Sequence, residues 1–119
     1  MDLRLEVTEQ DSVSVLGVCG EVDVSTAPRL RQAIIELASE GRSQLVVDLD
    51  QVEFLDSTGL GVLVSGLKRC RSLGGDLVLV CSQARILRVL DITRLNRAFA
   101  VCSSTAEAAA AMRSSTGTS

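Results

Sequence analysis

Val46-Val47-Asp48-Leu49-Asp50-Gln51-Val52-Glu53-Phe54-Leu55-Asp56-Ser57-Thr58-Gly59-Leu60-Gly61-Val62-Leu63 decides the fold. The first part is an apolar run with β-branched residues, the pattern of a strand buried on both faces. From Leu60 onward apolar residues recur at helical spacing. Between the two lies Asp56-Ser57-Thr58-Gly59, small polar residues where a strand hands over to a helix. A hydroxyl at such a junction is exposed and lies beside the free backbone N–H groups of a helix start.

Toward the N-terminus, Leu3, Leu5 and Val7 alternate with polar residues, and Val13 to Cys19 forms a second apolar run after Asp11-Ser12. The short separation predicts an antiparallel hairpin. Gly20-Glu21-Val22-Asp23 reads as a small acidic loop leaving the sheet. Ser25 or Thr26 can cap a helix with Pro28 in its first turn, and Leu30, Ala33, Ile34 and Leu37 make its apolar stripe up to Gly41. Leu45 to Leu49 is the most continuous apolar run and is expected at the sheet centre.

Toward the C-terminus, the helix after Ser57 is expected to run to about Leu73, with Leu60, Leu63, Val64, Leu67 and Cys70 inward, and Gly74-Gly75 stops it. Asp76 to Cys81 is a fourth strand. Ser82 can cap a short helix bearing Ile86, Leu87, Val89 and Leu90, and a short, weak strand is expected around Ala98 to Val101. Ser104-Thr105-Ala106-Glu107 reads as a capping box opening an Ala-rich helix to Met112. The order β-β-α-β-α-β-α-β-α predicts an α/β domain: a mixed sheet of about four to five strands, about four helices and an N-terminal hairpin. One domain over 1–113 with a flexible tail over 114–119 accounts for the chain.

Composition narrows the function. A formal charge of −3 argues against nucleic acid, and Phe54 and Phe99, the only aromatic residues, offer no stacking platform. There is no histidine, which removes the usual general base and every His-ligand metal motif. Asp48, Asp50, Glu53 and Asp56 have no recognised ligand spacing, and no Gly-rich phosphate loop is present, so neither a metal nor a nucleotide cofactor is expected. No apolar run approaches the roughly 18 residues needed to span a membrane, and the N-terminus is not a signal peptide. A cytoplasmic protein without membrane contact is the simplest expectation. Cys19, Cys70, Cys81 and Cys102 contain no C-x-x-C pair and read as buried reduced thiols rather than a disulfide switch.

Two roles stand open for Ser57: a structural N-cap, or a phosphate acceptor. With no histidine and no lysine near it in sequence, a catalytic nucleophile is not among them. Asp56 is either a surface carboxylate or an orienting group, and Glu21 and Asp23 can simply solvate their loop.

Gly20-Glu21-Val22-Asp23, Val46-Val47-Asp48-Leu49, Phe54-Leu55-Asp56-Ser57-Thr58-Gly59-Leu60-Gly61-Val62-Leu63, Gly74-Gly75-Asp76-Leu77 and Val89-Leu90-Asp91-Ile92 together resemble the STAS-domain family. More narrowly they resemble the bacterial anti-sigma factor antagonists. The likeness runs from about Leu3 to Met112. It implies phosphorylation at Ser57, with Thr58 a second hydroxyl residue, and a partner surface built from Glu21, Asp23, Asp56, Ser57, Thr58, Gly59 and Leu60. It implies partner switching rather than enzymatic activity. The unphosphorylated protein binds an anti-sigma factor that is often also its serine kinase, freeing a sigma factor; phosphorylation breaks the complex, and a serine phosphatase resets it. Homodimerisation is left open. Rival outlets are a stressosome-type scaffold, a transporter-associated STAS domain and a receiver-like phosphoacceptor; the antiparallel hairpin at the start disfavours the last.

Overall fold

Asp11 and Ser12 both take positive φ, 53° and 69°, in a two-residue turn whose twist matches that of the strands it joins. It connects β1 (Leu3–Gln10) to β2 (Val13–Val22), paired antiparallel from Leu3↔Gly20 to Gln10↔Val13. The computed structural model describes residues 2–117. After β2 come α1 (Ala27–Ser39), β3 (Gln44–Leu55), α2 (Ser57–Ser72), β4 (Asp76–Val80), α3 (Ala84–Ile92), a 3-10 turn (Leu95–Arg97), β5 (Val101–Cys102) and α4 (Thr105–Gly117). The sheet order follows the chain, β1-β2-β3-β4-β5, with every pair after the first parallel. This is the expected α/β fold, with β3 at the centre of five strands.

Helices cover both faces of β3, which explains its apolar run. Val47 and Leu49 pack toward α1, α2 and α3 with Leu30, Ile34, Leu63, Leu67 and Leu90. Val46 points the other way and joins Val13, Val15, Val78, Val80 and Cys102 under Ala108, Ala109 and Met112 of α4. Small alanines on α4 let that helix lie close to the sheet.

Several local expectations change. Gly20-Glu21-Val22 does not leave the sheet: β2 continues to Val22, with Glu21 opposite Phe54 and Val22 opposite Leu55 past two register shifts. β3 likewise runs on beyond Leu49 to Leu55, and a side chain from elsewhere holds that irregular half. The two N–H donors of Gln83 Nε2 reach the carbonyls of Leu49 at 3.2 Å, Asp50 at 2.8 Å and Val52 at 2.8 Å. Ser82 does not cap α3; its N–H and Oγ both donate to Asp50 Oδ1, and Gln83 takes the cap position. The weak strand falls at Val101–Cys102, and α4 remains helical past Met112 to Gly117. The last part of the stretch expected as a tail, 118–119, lies outside the described residues.

Candidate functional site

The parallel ends of β2 and β3 deliver two loops to the same end of the sheet. The Asp56 N–H donates to the Val22 carbonyl at 3.2 Å, tying the start of α2 to the end of β2. Asp56 itself is extended, φ −100° and ψ −175°, and its Oδ1 accepts from the Gly59 N–H at 3.0 Å. Asp56 is therefore the N-cap, and Ser57 is the first helical residue. The cap role open to Ser57 in the sequence falls to its neighbour. Ser57 and Thr58 are exposed, and no hydrogen bond engages either hydroxyl among the described residues. Their backbone N–H groups, the first two of α2, also have no intrachain acceptor there, whereas Leu60 N–H reaches the Asp56 carbonyl at 3.0 Å.

The first turn of α2 lies hard against β2 and β3. A Cβ on Gly59 would come within 2.6 Å of both Leu55 Cδ1 and Val22 Cγ1, so only glycine lets the helix start this close. Leu60 is buried at 8% exposure and anchors the turn from below.

Asp23 organises the neighbouring loop. Its Oδ1 accepts from the Ser25 Oγ at 2.6 Å, the Ser25 N–H at 2.9 Å and the Thr26 N–H at 3.1 Å. Thr26 Oγ1 in turn accepts from the Asp23 N–H at 2.9 Å and donates to the Glu21 carbonyl at 2.8 Å. Thr26 occupies the cap position of α1 without capping it through its side chain. The Ser25 hydroxyl bond, with help from the backbone donors, holds the Asp23 carboxyl below the usual carboxylate range. Asp23 is buried. Two residues before the end of β2, Gly20 has φ +110°, and a Cβ there would strike the Asp2 carbonyl.

The residues expected to meet a partner thus divide by depth. Ser57 and Thr58 lie at the surface, Glu21 and Asp56 are half-buried, and Asp23, Gly59 and Leu60 lie beneath, holding the loops in shape. The structure adds a feature that sequence reasoning missed. Val24, 73% exposed, stands at the mouth of a groove of about 640 Å³ between α1 and α2, lined also by Pro28, Arg31, Ile35, Thr58 and Val62. Ile35 and Val62 are out of phase with the inward stripes of their helices, and that mismatch was the available signal. Phe54, beside Glu21 on the strand pair, is 48% exposed.

A family model for the STAS domain matches residues 4–108, nearly the whole described chain. The chain belongs to the STAS domain family. This STAS domain is 37% identical over 95 residues to an anti-sigma-B factor antagonist of Bacillus subtilis, covering 80% of this chain and 86% of the relative. It is 36% identical to a Staphylococcus aureus protein of the same description, covering 80% and 88%. The crystal structure of an anti-sigma factor antagonist from Mycobacterium paratuberculosis superposes with a TM-score of 0.86 at 33% identity, over 94% of this chain and 95% of that one.

Among the described residues no cluster of acidic or cysteine side chains could hold a metal, and no helix is long and apolar enough to cross a membrane. Asp48 and Asp50 are engaged locally: Asp48 Oδ1 accepts from the Asp50 N–H at 3.0 Å, and Asp50 holds Ser82. All four cysteines are free; Cys70, Cys81 and Cys102 are buried and Cys19 is half-buried. Burial, with the Asp76 carboxylate adding to it, pushes the Cys70 thiol up to about 11, and burial also raises Cys81 and Cys102. Such thiols stay protonated and inert near neutral pH.

Proposed function

We propose that this STAS domain is a cytoplasmic anti-sigma factor antagonist whose binding is switched by phosphorylation of Ser57. Unphosphorylated, it binds an anti-sigma factor that also serves as its serine kinase and so frees a sigma factor. Phosphate on Ser57 dissolves the complex, and a serine phosphatase restores it. The domain acts as a binding module, with the nucleotide brought by the kinase. The names of its relatives support the antagonist role.

One observation carries the choice of Ser57. Asp56 takes the cap, so the serine hydroxyl is exposed and unengaged at the first position of a helix. A phosphoserine there adds about −1.5 to −2 charges beside two free N–H groups and the positive end of the helix dipole, which favour it. The fold tolerates the group; the partner interface does not. Like-charge juxtaposition and desolvation across an interface cost several kcal/mol, about a hundredfold or more in affinity. Thr58, one residue on, turns toward the α1–α2 groove and serves contact rather than acceptance.

Titration calorimetry of the anti-sigma factor against wild type, Ser57→Ala and Ser57→Asp tests this. The alanine variant should bind within a few-fold of wild type and the aspartate variant at least about tenfold more weakly. Equal binding by all three would remove Ser57 from the interface.

A further inference from the structure

β1 is an edge of the sheet, paired with β2 on one side only. The two-residue turn makes Gln10 and Val13 the closing hydrogen-bonded pair, so alternation turns the N–H and C=O groups of Leu3, Leu5, Val7 and Glu9 outward. The Asp2 carbonyl, which accepts from the Glu21 N–H at 3.0 Å, fits the same parity. The outward groups have no backbone partner among the described residues. The side chains also divide. Leu3 and Leu5 lie on the face covered by α1 and α2, and Val7, on that side, is 45% exposed. Arg4 and Glu6 are exposed on the other face, and neither makes an ion pair within the described chain. Arg4 reaches only Cys19 Sγ, at 3.4 Å.

A second copy of this chain complements that edge. Antiparallel pairing about a two-fold axis must set outward-pointing residues against each other. With the axis at Leu5, Leu5 faces its own copy, Leu3 faces Val7 of the other chain, and Arg4 faces Glu6 twice over, by symmetry. The Arg4–Glu6 positions are then non-hydrogen-bonded pairs, where side chains approach most closely. Moving the axis by one residue toward Glu6 sets Glu6 against Glu6, and by one toward Arg4 sets Arg4 against Arg4. Charges on an edge strand ordinarily oppose pairing. Here they oppose the neighbouring registers and favour one.

We propose that β1 is a homodimer interface in which two copies pair antiparallel about Leu5, joining their sheets through reciprocal Arg4–Glu6 contacts. One strand pair buries less than the roughly 800 Å² per partner of a standard interface, so the dimer is a weak one, in the micromolar range or above. Ser57 follows β3, two strands in from this edge, and stays accessible in the dimer.

Sedimentation velocity from about 1 μM to about 500 μM, a span that brackets weak association, tests the proposal. The samples are wild type, Arg4→Glu, Glu6→Arg, the double variant Arg4→Glu/Glu6→Arg, an equimolar mixture of the single variants, and Val7→Lys. Wild type should dimerise with rising concentration. Each single variant should shift the midpoint upward about tenfold or more, through two repulsive pairs per dimer. The double variant and the mixture should restore it, the mixture as heterodimers. Circular dichroism establishes that each variant is folded; should a single variant fail, Val7→Lys, altered at a half-exposed position, reads the same edge. Monomer at every concentration, a dimer indifferent to the single changes and Val7→Lys, or single variants that weaken without rescue would each overturn the proposal.

Discussion

Gly59→Ala and Gly61→Ala are the same chemical change two residues apart on one helix, and the structure separates them. At Gly59 the new Cβ would lie 2.6 Å from Leu55 Cδ1 and Val22 Cγ1, against ordinary carbon contacts of about 3.5–4.0 Å. Val22 is fully buried and β-branched, with little rotamer freedom, and Leu55 is only 7% exposed, so neither yields easily. Overpacking of this kind costs about 1–3 kcal/mol. At Gly61 nothing lies within 4 Å and the position is exposed. Both variants gain about 1 kcal/mol of helix propensity. That gain cancels in the comparison, leaving the overpacking cost of about 1–3 kcal/mol between them. For a chain of this size, about 4 °C per kcal/mol places Gly59→Ala about 4–12 °C below Gly61→Ala in Tm, with Gly61→Ala above wild type. Thermal unfolding followed by circular dichroism measures it. A Gly59→Ala variant as stable as Gly61→Ala would refute the close approach of α2 to β2 on which the position of Ser57 depends.

Gln83→Ala removes the amide that serves three carbonyls in the irregular half of β3 and should destabilise the domain by about 1–3 kcal/mol in urea titrations; a loss within error would mean that solvent replaces the amide. Asp23→Asn should destabilise at neutral pH. The Asp23 carboxyl is lowered on folding, so its contribution is present in full above an unfolded value of about 4 and fades as pH falls through the lower folded value. The stability gap between wild type and variant should therefore close below about pH 4, and a gap constant from pH 7 to pH 3 would contradict the loop network.

The alternation of strands and helices was legible because it rests on local periodicity: Leu30, Ile34 and Leu37 on α1, the run from Leu45 to Leu49 in β3 and the Asp11-Ser12 turn each carry their own signal. What was not legible depends on partners distant in sequence. Asp50 and Gln51 look like the end of a strand, yet β2 on one side and Gln83 on the other keep them in β3. Glu21 and Val22 read as loop for the same reason. The strand-to-helix junction was legible, but not the contacts within it. Asp56, Ser57 and Thr58 can all cap a helix, and only the Oδ1 contact to the Gly59 N–H separates the capping residue from the exposed one. Asp23 looked like a surface acid; its carboxylate turns inward because Ser25 and Thr26 present donors within reach. The α1–α2 groove went unnoticed because Ile35 and Val62 are inconspicuous in an apolar helix until their phase is compared with that of their neighbours.

The central claim concerns a single hydroxyl, and intact mass with site mapping after incubation with ATP and the anti-sigma kinase tests it most directly. The account predicts one added phosphate, mapped to Ser57, absent from Ser57→Ala and from reactions without kinase, with phosphorylated protein no longer binding the anti-sigma factor. A phosphate mapped elsewhere, or a Ser57-phosphorylated protein that binds as tightly as the unmodified one, would contradict it.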